Sequence, residues 1–381
     1  MQRLVFSLLG GACAWVFVLA ASAPGPSVLA QPQGPAAKPP GTVQAPAPKP
    51  ATKPSGSAQG PSVKPAKTVP PAPVPKAAAQ APWQPTKPIE FVIMAGKGGG
   101  ADRIVRNLIG TIVKHNLAPV EFTPVNIAGG SGADAMDYLN KKKGDEHLLL
   151  FTLNSFYTTP LYRPDLNIDI AAFAPIGLMA EDTFLLWVHS NRTDIKTIDD
   201  FVKAARAKGD KWVMAGTGTG QEDSLLTDFL NSTYGLKMSY TSFEGGGDVA
   251  KELAEKRADS TVNNPAEQND FFPKGLTKPI AAFTPKRLQM HLRVPTFRET
   301  GMDFTYFMQR SVVGAPGMSA PAQAYYFDLF KKIFATPEWQ AYRTKNSLGG
   351  DFLSGSELMN YWLKERQKHE RWKMAVEALK R

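Results

Sequence analysis

The sequence predicts an α/β protein of two lobes with a ligand cleft between them, and two strand–glycine–helix units carry this prediction. In the first unit, a short apolar strand at 89–94 leads into four glycines between 96 and 100, and a helix with one apolar face follows from Ile104. In the second unit, a strand at 212–215 leads into three alternate glycines and a helix. Strands and helices keep alternating through 87–381, which is typical of mainly parallel sheets flanked by helices.

The two glycine loops together predict an anion-binding site. Glycine permits positive φ angles and close approach to the backbone, and each loop presents N–H groups beside the positive end of a helix dipole. Ligands of open α/β sheets bind beyond the carboxyl ends of the strands, where both loops lie. For the first loop alone, a tight turn with Asp102 as a helix cap is an equal alternative. The predicted ligand-binding residues are Gly98, Gly99, Gly100, Thr217, Gly218, Thr219 and Gly220 in the loops, and Asn154, Ser155 and Asn263 after other strands.

The N-terminus has the pattern of a signal peptide. Arg3 supplies the positive start, 4–20 is an apolar run, and small residues that suit cleavage occur up to Ala23 and Ala30. We therefore expect residues 1–30 to be removed on export, with a retained membrane anchor as the alternative. The single cysteine of the chain, Cys13, lies in this segment, so the exported protein would contain no disulfide and no thiol nucleophile.

Residues 31–86 are predicted to form a disordered linker. The stretch contains 16 of the chain's 32 prolines and is otherwise rich in alanine and lysine, so it buries too little apolar surface to offset its ordering entropy. Its six lysines and Arg3 account for most of the net charge of +10, which leaves 87–381 nearly balanced. That distribution, together with export, argues against nucleic-acid binding. The lysines either make weak contact with anionic envelope components or belong to a passive tether.

No catalytic or cofactor motif in the sequence is complete. Residues 96–101 fit the dinucleotide pattern G-x-G-x-x-G/A, but the next strand lacks a terminal acid, because Glu121 lies at its start. The serine-hydrolase pattern G-x-S-x-G is absent, and the five histidines have no metal-binding spacing. We therefore predict a binding protein without catalysis, cofactor or metal. The alternatives are an exported enzyme on the same scaffold, a dinucleotide-binding oxidoreductase, and an envelope scaffold without a small ligand.

Several motifs resemble the exported solute-binding proteins of tripartite tricarboxylate transporters, also called Bug receptors. Residues 95–102 resemble the first glycine loop of that family, with Gly98 where the family has proline. Residues 182–188 and 194–201 resemble a second family phrase. The remaining matching segments are 216–223, 245–253, 259–267 and 314–317.

The resemblance implies a two-lobed periplasmic-binding-protein-like fold of type II. We expect lobe 1 to comprise 87–187 plus 304–381, and lobe 2 to comprise 188–303. The resemblance also implies a monomeric periplasmic receptor that closes on a small carboxylate, either a di- or tricarboxylate or an aromatic acid. Such a receptor delivers its ligand to membrane transporter subunits. Backbone donors recognise the carboxylate and not the carbon skeleton, so the motifs leave the individual ligand open.

Overall fold

The computed structural model describes residues 82–379, with side chains described as far as Met374. The predicted signal peptide with Cys13, and the predicted linker up to residue 81, lie outside the described residues. The strands of the described part are β1 (Ile89–Ile93), β2 (Phe122–Asn126), β3 (Leu148–Thr152), β4 (Ala174–Thr183), β5 (Leu185–His189), β6 (Val213–Gly216), β7 (Ser239–Ser242), β8 (Ser260–Asn263), β9 (Thr277–Ala282) and β10 (Phe307–Gly314). Its α-helices are α1 (Gly100–Lys114), α2 (Ala133–Lys141), α3 (Ser155–Tyr162), α4 (Ile198–Lys208), α5 (Glu222–Tyr234), α6 (Gly246–Ala254), α7 (Ala320–Phe334), α8 (Pro337–Lys345) and α9 (Gly355–Leu379).

Within 82–379 the strands form two sheets of five strands with the same pattern. The first sheet has the order β2-β1-β3-β10-β4, and the second has the order β7-β6-β8-β5-β9. In the first sheet β10 runs antiparallel to both neighbours, and in the second sheet β5 does so. The other pairs are parallel. The predicted α/β fold of two lobes with mainly parallel sheets is confirmed, with one reversed strand in each sheet.

The chain crosses between the two sheets at two neighbouring places. Phe184 alone separates β4 from β5, so the first crossing occurs there. The returning connection lies beside it, because the N–H of Phe283 donates to the carbonyl oxygen of Phe184 at 3.0 Å. Residues 185–187, which the sequence-based division assigns to lobe 1, pair with β8 and β9 of the second sheet.

The first strand–glycine–helix unit forms because both of its flanks are anchored in the core. All five residues of β1 are shielded from solvent to a large degree, as expected for a strand covered on both faces. Helix α1 buries Ile104, Val105, Leu108 and Ile112 along one face, while Val113 is 67% exposed. Each buried aliphatic side chain contributes about 1.5–3 kcal/mol to stability. The glycine loop between these two elements is therefore held at both ends.

The folded part includes residues that the sequence-based division assigns to the linker. The ring of Trp83 lies 5.6 Å from that of Tyr326 and 5.7 Å from that of His147. The N–H of Thr86 donates to Nε2 of His147 at 3.0 Å. These contacts attach residues 83–86 to the first lobe, so ordered packing begins before Lys87.

Helix α9 packs on the first lobe through aromatic residues. Trp362 is fully buried, with its ring 5.0 Å from that of Phe156 and its Nε1 donating to Gln309 Oε1 at 2.8 Å. The helical spacing of aromatic residues in this segment is therefore explained by core packing. Across residues 82–379, no helix combines the length and the apolar character required to cross a membrane.

Candidate functional site

The first glycine loop, residues 96–100, lies directly against a loop of the second lobe. The N–H of Gly96 donates to the carbonyl oxygen of Glu244 at 3.1 Å. A Cβ atom added at Gly96 would lie 2.9 Å from that oxygen, and one added at Gly247 would lie 2.9 Å from the carbonyl oxygen of Gly98. Side chains at these positions would therefore collide with backbone atoms. The glycines of the first loop were predicted to allow close approach of a ligand. In the structure they allow close approach of the two lobes.

Of the three N–H groups that were predicted to bind the ligand in this loop, two donate to side chains of the protein and one does not. The N–H of Gly98, whose φ is +78°, donates to Asp102 Oδ2 at 2.9 Å, as the turn alternative expects. The N–H of Gly99 donates no hydrogen bond within the described residues. The N–H of Gly100 donates to Glu267 Oε1 at 3.0 Å. Carboxylates of the protein itself, those of Asp102 and Glu267, thus occupy two of the three donors expected to bind the ligand.

Glu267 connects the second lobe to the N-terminus of α1. Its Oε2 accepts hydrogen bonds from Asn263 Nδ2 at 2.9 Å and from the N–H of Asn264 at 3.0 Å. Asn263, one of the predicted ligand-binding residues, is fully buried and also donates to the carbonyl oxygen of Gly246 at 3.2 Å. Asn263 therefore positions Glu267 in this structure.

Glu222 makes an equivalent connection at the N-terminus of α3. Its Oε1 accepts a hydrogen bond from the N–H of Ser155, another predicted residue, at 3.0 Å. Glu222 is 1% exposed, and its Oε2 has no hydrogen-bond partner within the described residues. Burial raises the pKa of Glu222, because the ionised form loses its hydration. The buried hydroxyl of Ser155 likewise has no partner there.

In the second glycine loop, residues 216–220, two N–H groups donate hydrogen bonds to side chains at the start of α5, the helix that follows the loop. The N–H of Thr217 donates to Asp223 Oδ2 at 2.8 Å, and the N–H of Gly218 donates to Gln221 Oε1 at 2.8 Å. Burial raises the pKa of Asp223 well above its ordinary value. These two predicted donors are therefore occupied by side chains from the start of α5.

The far end of the same loop leaves its donors unpaired. Within the described residues, the N–H groups of Thr219 and Gly220 donate no hydrogen bond. The carbonyl oxygen of Thr219 accepts a hydrogen bond from Ser131 Oγ of the first lobe at 3.0 Å. Two adjacent N–H groups thus remain available where this loop meets the first lobe.

Asn154 joins the end of β3 to β10. Its Oδ1 accepts from the N–H of Gln309 at 2.9 Å, and its Nδ2 donates to the carbonyl oxygen of Phe307 at 2.8 Å. The side chain is 1% exposed. Asn154 therefore fixes the position of Ser155 and the start of α3.

A buried ion pair lies beside the first glycine loop. Arg310 on β10 donates to Asp182 Oδ2 from Nε at 3.0 Å and from Nη2 at 2.5 Å, and Nη2 also donates to Asn264 Oδ1 at 2.8 Å. A Cβ atom at Gly100 would lie 2.7 Å from Nη2, so this position has no room for a side chain. Burial raises the pKa of Asp182 to about 6, and the charge of Arg310 opposes that rise.

Two cavities lie where the lobes meet, and the second glycine loop borders both. The smaller cavity has a volume of about 30 Å³, and Thr217 belongs to its wall together with Gly99, Gly100, Glu222, Asp223, Glu267 and Arg310. The larger cavity has a volume of about 330 Å³, and its wall consists of Gly130, Ser131, Thr159, Tyr162, Arg163, Thr219 and Gly220. The two predicted glycine loops therefore do meet around one cavity.

Three buried carboxyl groups surround the smaller cavity. Glu222, Asp223 and Glu267 are at most 7% exposed, and within the described residues none of them forms a salt bridge. Arg310 contributes the positive charge of the wall, and it is bound to Asp182. In the part of the chain that the structure describes, no three His, Cys, Asp or Glu side chains are placed to hold a metal ion.

The ligand-binding residues predicted from the sequence do not include Glu222, Glu267, Arg310 or Ser131. The spacing of Asn264 and Glu267 forms a capping box, which is a signal readable from the sequence. No comparable local signal marks Arg310, which lies between two other buried polar residues, Gln309 and Ser311, in β10. These residues are brought to the cleft by long-range packing.

Comparisons with known proteins agree with this architecture. The family model described as the tripartite tricarboxylate transporter family receptor matches residues 114–378. Rpa4515 of R. palustris, solved with adipate, is 19% identical with a TM-score of 0.71, covering 77% of this chain and 98% of that chain. The periplasmic binding protein BugD is 19% identical with a TM-score of 0.69, covering 78% and 97%. MatC of Rhodopseudomonas palustris, with bound malate, is 19% identical with a TM-score of 0.66, covering 77% and 99%.

Because the sequence identities are only 19%, these structural similarities show a shared fold alone. No curated protein sequence is significantly similar to the chain. The family match extends over well over half of the chain and includes the second glycine loop, both cavity-lining acids that follow it and Glu267.

Proposed function

Because the chain belongs to the tripartite tricarboxylate transporter receptor family, we propose that it is an exported solute receptor that binds a small carboxylate between its lobes. In this proposal the ligand is a di- or tricarboxylate or an aromatic acid. The receptor acts as a monomer in the periplasm, without catalysis, and delivers its ligand to the subunits of a membrane transporter. Support comes from proteins of the same fold that were solved with adipate and with malate.

The larger cavity is the observation that carries this proposal. Its volume of about 330 Å³ falls within the range of small-molecule sites, which is roughly 300–1,000 Å³. The unpaired N–H groups of Thr219 and Gly220 belong to residues of its wall, next to the start of α5. Backbone donors at such a place favour a carboxylate. We assign the ligand's carboxylate to these two groups; Arg163 of the same wall is paired with Asp165, so the backbone donors carry the assignment.

The remaining predicted residues have supporting roles in this proposal. Gly99 lies on the wall of the smaller cavity, and its N–H group has no partner among residues 82–379. Gly98, Gly100, Thr217 and Gly218 shape the two loops through the hydrogen bonds that they donate to side chains. Asn154, Ser155 and Asn263 hold the surrounding loops and Glu267 in position.

Titration calorimetry of the purified chain against a panel of carboxylates tests the proposal. We expect saturable binding of at least one of adipate, malate, citrate or benzoate, with no chemical change of the ligand by NMR. Thr219→Pro removes one proposed donor and should weaken binding about tenfold or more, because hydrogen bonds to charged groups are worth about 1.5–3 kcal/mol. Thr219→Val keeps the N–H group and should bind as the parent does.

Three outcomes would contradict the proposal. Binding of no panel member would favour the envelope-scaffold alternative, and turnover of a bound ligand would favour the enzyme alternative. Equal affinity of Thr219→Pro and Thr219→Val, with both variants folded by circular dichroism, would place the carboxylate elsewhere.

A further inference from the structure

Four apolar side chains are exposed close together on the second lobe. Among residues 82–374, seven large apolar side chains are exposed, and four of them belong to the short stretch 272–292. These four are Phe272 at 39% exposure, Leu276 at 37%, Met290 at 53% and Leu292 at 63%. Single exposed apolar residues are ordinary, whereas a group of them indicates an interaction surface. We call these four side chains the apolar surface.

The two halves of this stretch pack side by side. The ring of Phe272 lies 5.3 Å from that of His291, and these two rings lie 5.7 Å and 5.8 Å from the buried ring of Trp187. The loop around His291 is held in place, because Arg287 Nη1 donates to the carbonyl oxygen of Leu292 at 3.0 Å. The apolar surface therefore rests on a packed base.

The charged residues of this stretch are all positive. Residues 271–293 contain five lysine and arginine residues and no aspartate or glutamate. Lys274 and Arg293 are exposed, and each lies within two residues of a member of the apolar surface. Within the described residues neither forms a salt bridge, whereas Arg287 is paired with Glu299. A partner that covers the apolar surface meets unpaired cations, so negative charge on that partner is favoured.

The apolar surface lies apart from the ligand cleft. Its four residues do not belong to the walls of the two cavities described above. Leu276 immediately precedes β9, an edge strand of the second sheet, and the other end of β9 adjoins the crossing between the lobes. Lys278 and Pro279 on β9 suit the protection of a sheet edge. Exposed apolar side chains beside that edge do not, so they require another explanation.

We propose that the apolar surface binds the headgroup region of an anionic membrane, so that the receptor docks on a lipid bilayer through its second lobe. Apolar side chains enter the boundary between headgroups and acyl chains, while neighbouring lysine and arginine side chains are attracted to anionic lipid. Protein interfaces are depleted in lysine, and leucine is rare at their energetic centres, which favours lipid over a protein partner. Docking requires no bound carboxylate, and it would hold the receptor beside its membrane transporter.

Co-sedimentation of the purified chain with lipid vesicles tests this docking. Vesicles of phosphatidylcholine are compared with vesicles of equal parts phosphatidylcholine and phosphatidylglycerol. We expect binding to the anionic vesicles that weakens as salt is added, because salt screens the attraction. Met290→Ser with Leu292→Ser should lower this affinity about tenfold or more, because less apolar area leaves water. The matched control, Leu363→Ser with Met374→Ser, alters similarly exposed side chains of α9 and should change the affinity less than about twofold.

Charge variants test the second component of the contact. Lys274→Gln with Arg293→Gln should lower the affinity for anionic vesicles about tenfold or more, since each cation near such a surface contributes about fivefold. Lys203→Gln with Lys332→Gln removes two exposed cations from α4 and α7, and it should cost less than about threefold. The six lysines of 31–86 are present in every variant, so their own attraction to the vesicles cancels from these comparisons.

A local probe reports contact of the apolar surface itself. Leu292→Cys in a Cys13→Ser background carries a single thiol, to which a polarity-sensitive dye is attached. Anionic vesicles should shift the emission of this dye to the blue and increase its intensity. The same dye on Met374→Cys, in the same background, should keep its emission.

The outcomes are decisive for docking and independent of ligand capture. Weaker vesicle binding in both the apolar and the charge variants, with both controls binding as the parent does, supports a lipid-binding surface. Docking is refuted if Met290→Ser with Leu292→Ser binds as tightly as the parent, or if the dye at residue 292 does not respond; a protein partner is then the occupant. Should the apolar variant not fold by circular dichroism, the charge variants and the dye decide. Calorimetry should give the same carboxylate affinity for every variant, so failure of docking leaves the carboxylate receptor standing.

Discussion

Replacing Arg310 by methionine tests whether one buried ion pair holds the cleft together. Arg310 is 1% exposed, and it joins Asp182 of its own sheet to Asn264 of the second lobe. Methionine has a similar length but donates no hydrogen bond. The variant therefore leaves Asp182 buried, with Oδ2 deprived of both guanidinium donors.

We expect Arg310→Met to lower the free energy of unfolding by about 3–5 kcal/mol at about pH 7.5, because a buried charge loses its partner. Burial already raises the pKa of Asp182 to about 6, and removal of the guanidinium should raise that pKa further. At about pH 5 the native variant therefore keeps Asp182 protonated. The loss should then shrink towards the roughly 1–2 kcal/mol expected for the missing hydrogen bonds.

Urea denaturation at both pH values, followed by tryptophan fluorescence, measures these differences. Arg298→Met is the matched control, since it breaks an exposed pair with Asp303 and should cost below about 1 kcal/mol. The double variant Arg310→Met with Asp182→Asn should regain much of the stability, because no charge stays buried. The reasoning is refuted if Arg310→Met costs no more than Arg298→Met, or if the double variant is as unstable as the single one.

Three further predictions follow from other contacts. Gly247→Ala should lower the free energy of unfolding by about 1–3 kcal/mol, because the added Cβ would meet a backbone oxygen. The control Gly110→Ala, with open space around it, should raise the free energy of unfolding by about 0.5–1 kcal/mol. Equal shifts of the two melting temperatures would contradict this contact. Trp83→Ala should cost about 1–3 kcal/mol in urea denaturation, and an unchanged midpoint would place Trp83 outside the folded part. The free energy of unfolding should fall as pH rises from about 4 to about 6, because native Asp182 keeps a proton that the unfolded chain releases. If the free energy of unfolding of Asp182→Asn changes with pH as steeply as that of the parent, the raised pKa of Asp182 is contradicted.

The strands and helices could be predicted from the sequence, because the repeat of apolar residues along a strand or along one face of a helix is a local pattern. The strand predicted at 89–94 corresponds to β1, while the helix predicted from Ile104 begins at Gly100. The first four residues of α1 include no large apolar side chain, so the hydrophobic period does not show where the helix starts. The place of β10 between β3 and β4 in the first sheet was also beyond local patterns, because it depends on pairing with strands distant in the sequence.

The contacts of the site were harder to predict for the same physical reason. Residues 245–247 have the local pattern of a turn, and nothing near them in the sequence specifies that they face the first glycine loop. Glu222 fits the first turn of a helix on local preference alone. Its second role, accepting the N–H of Ser155 across the cleft, arises only when both lobes are in place. Local preferences therefore account for Glu222 at the start of α5 without revealing what it contacts.

The contacts across the cleft make ligand capture a competition with the protein's own groups. Each hydrogen bond between the lobes contributes about 0.5–1.5 kcal/mol net, so together they favour contact between the lobes by a few kcal/mol. The same contact shields three carboxyl groups of the second lobe from water around one small cavity, which opposes the contact unless they are protonated. A ligand can shift this balance only through interactions that differ between the open and closed arrangements. A carboxylate held between Thr219 of the second lobe and the wall residues of the first lobe would supply such a difference, whereas a carboxylate bound to Thr219 alone would not. The pairs concerned are Gly96 with Glu244, Gly100 with Glu267, Ser155 with Glu222, Arg310 with Asn264, and Ser131 with Thr219.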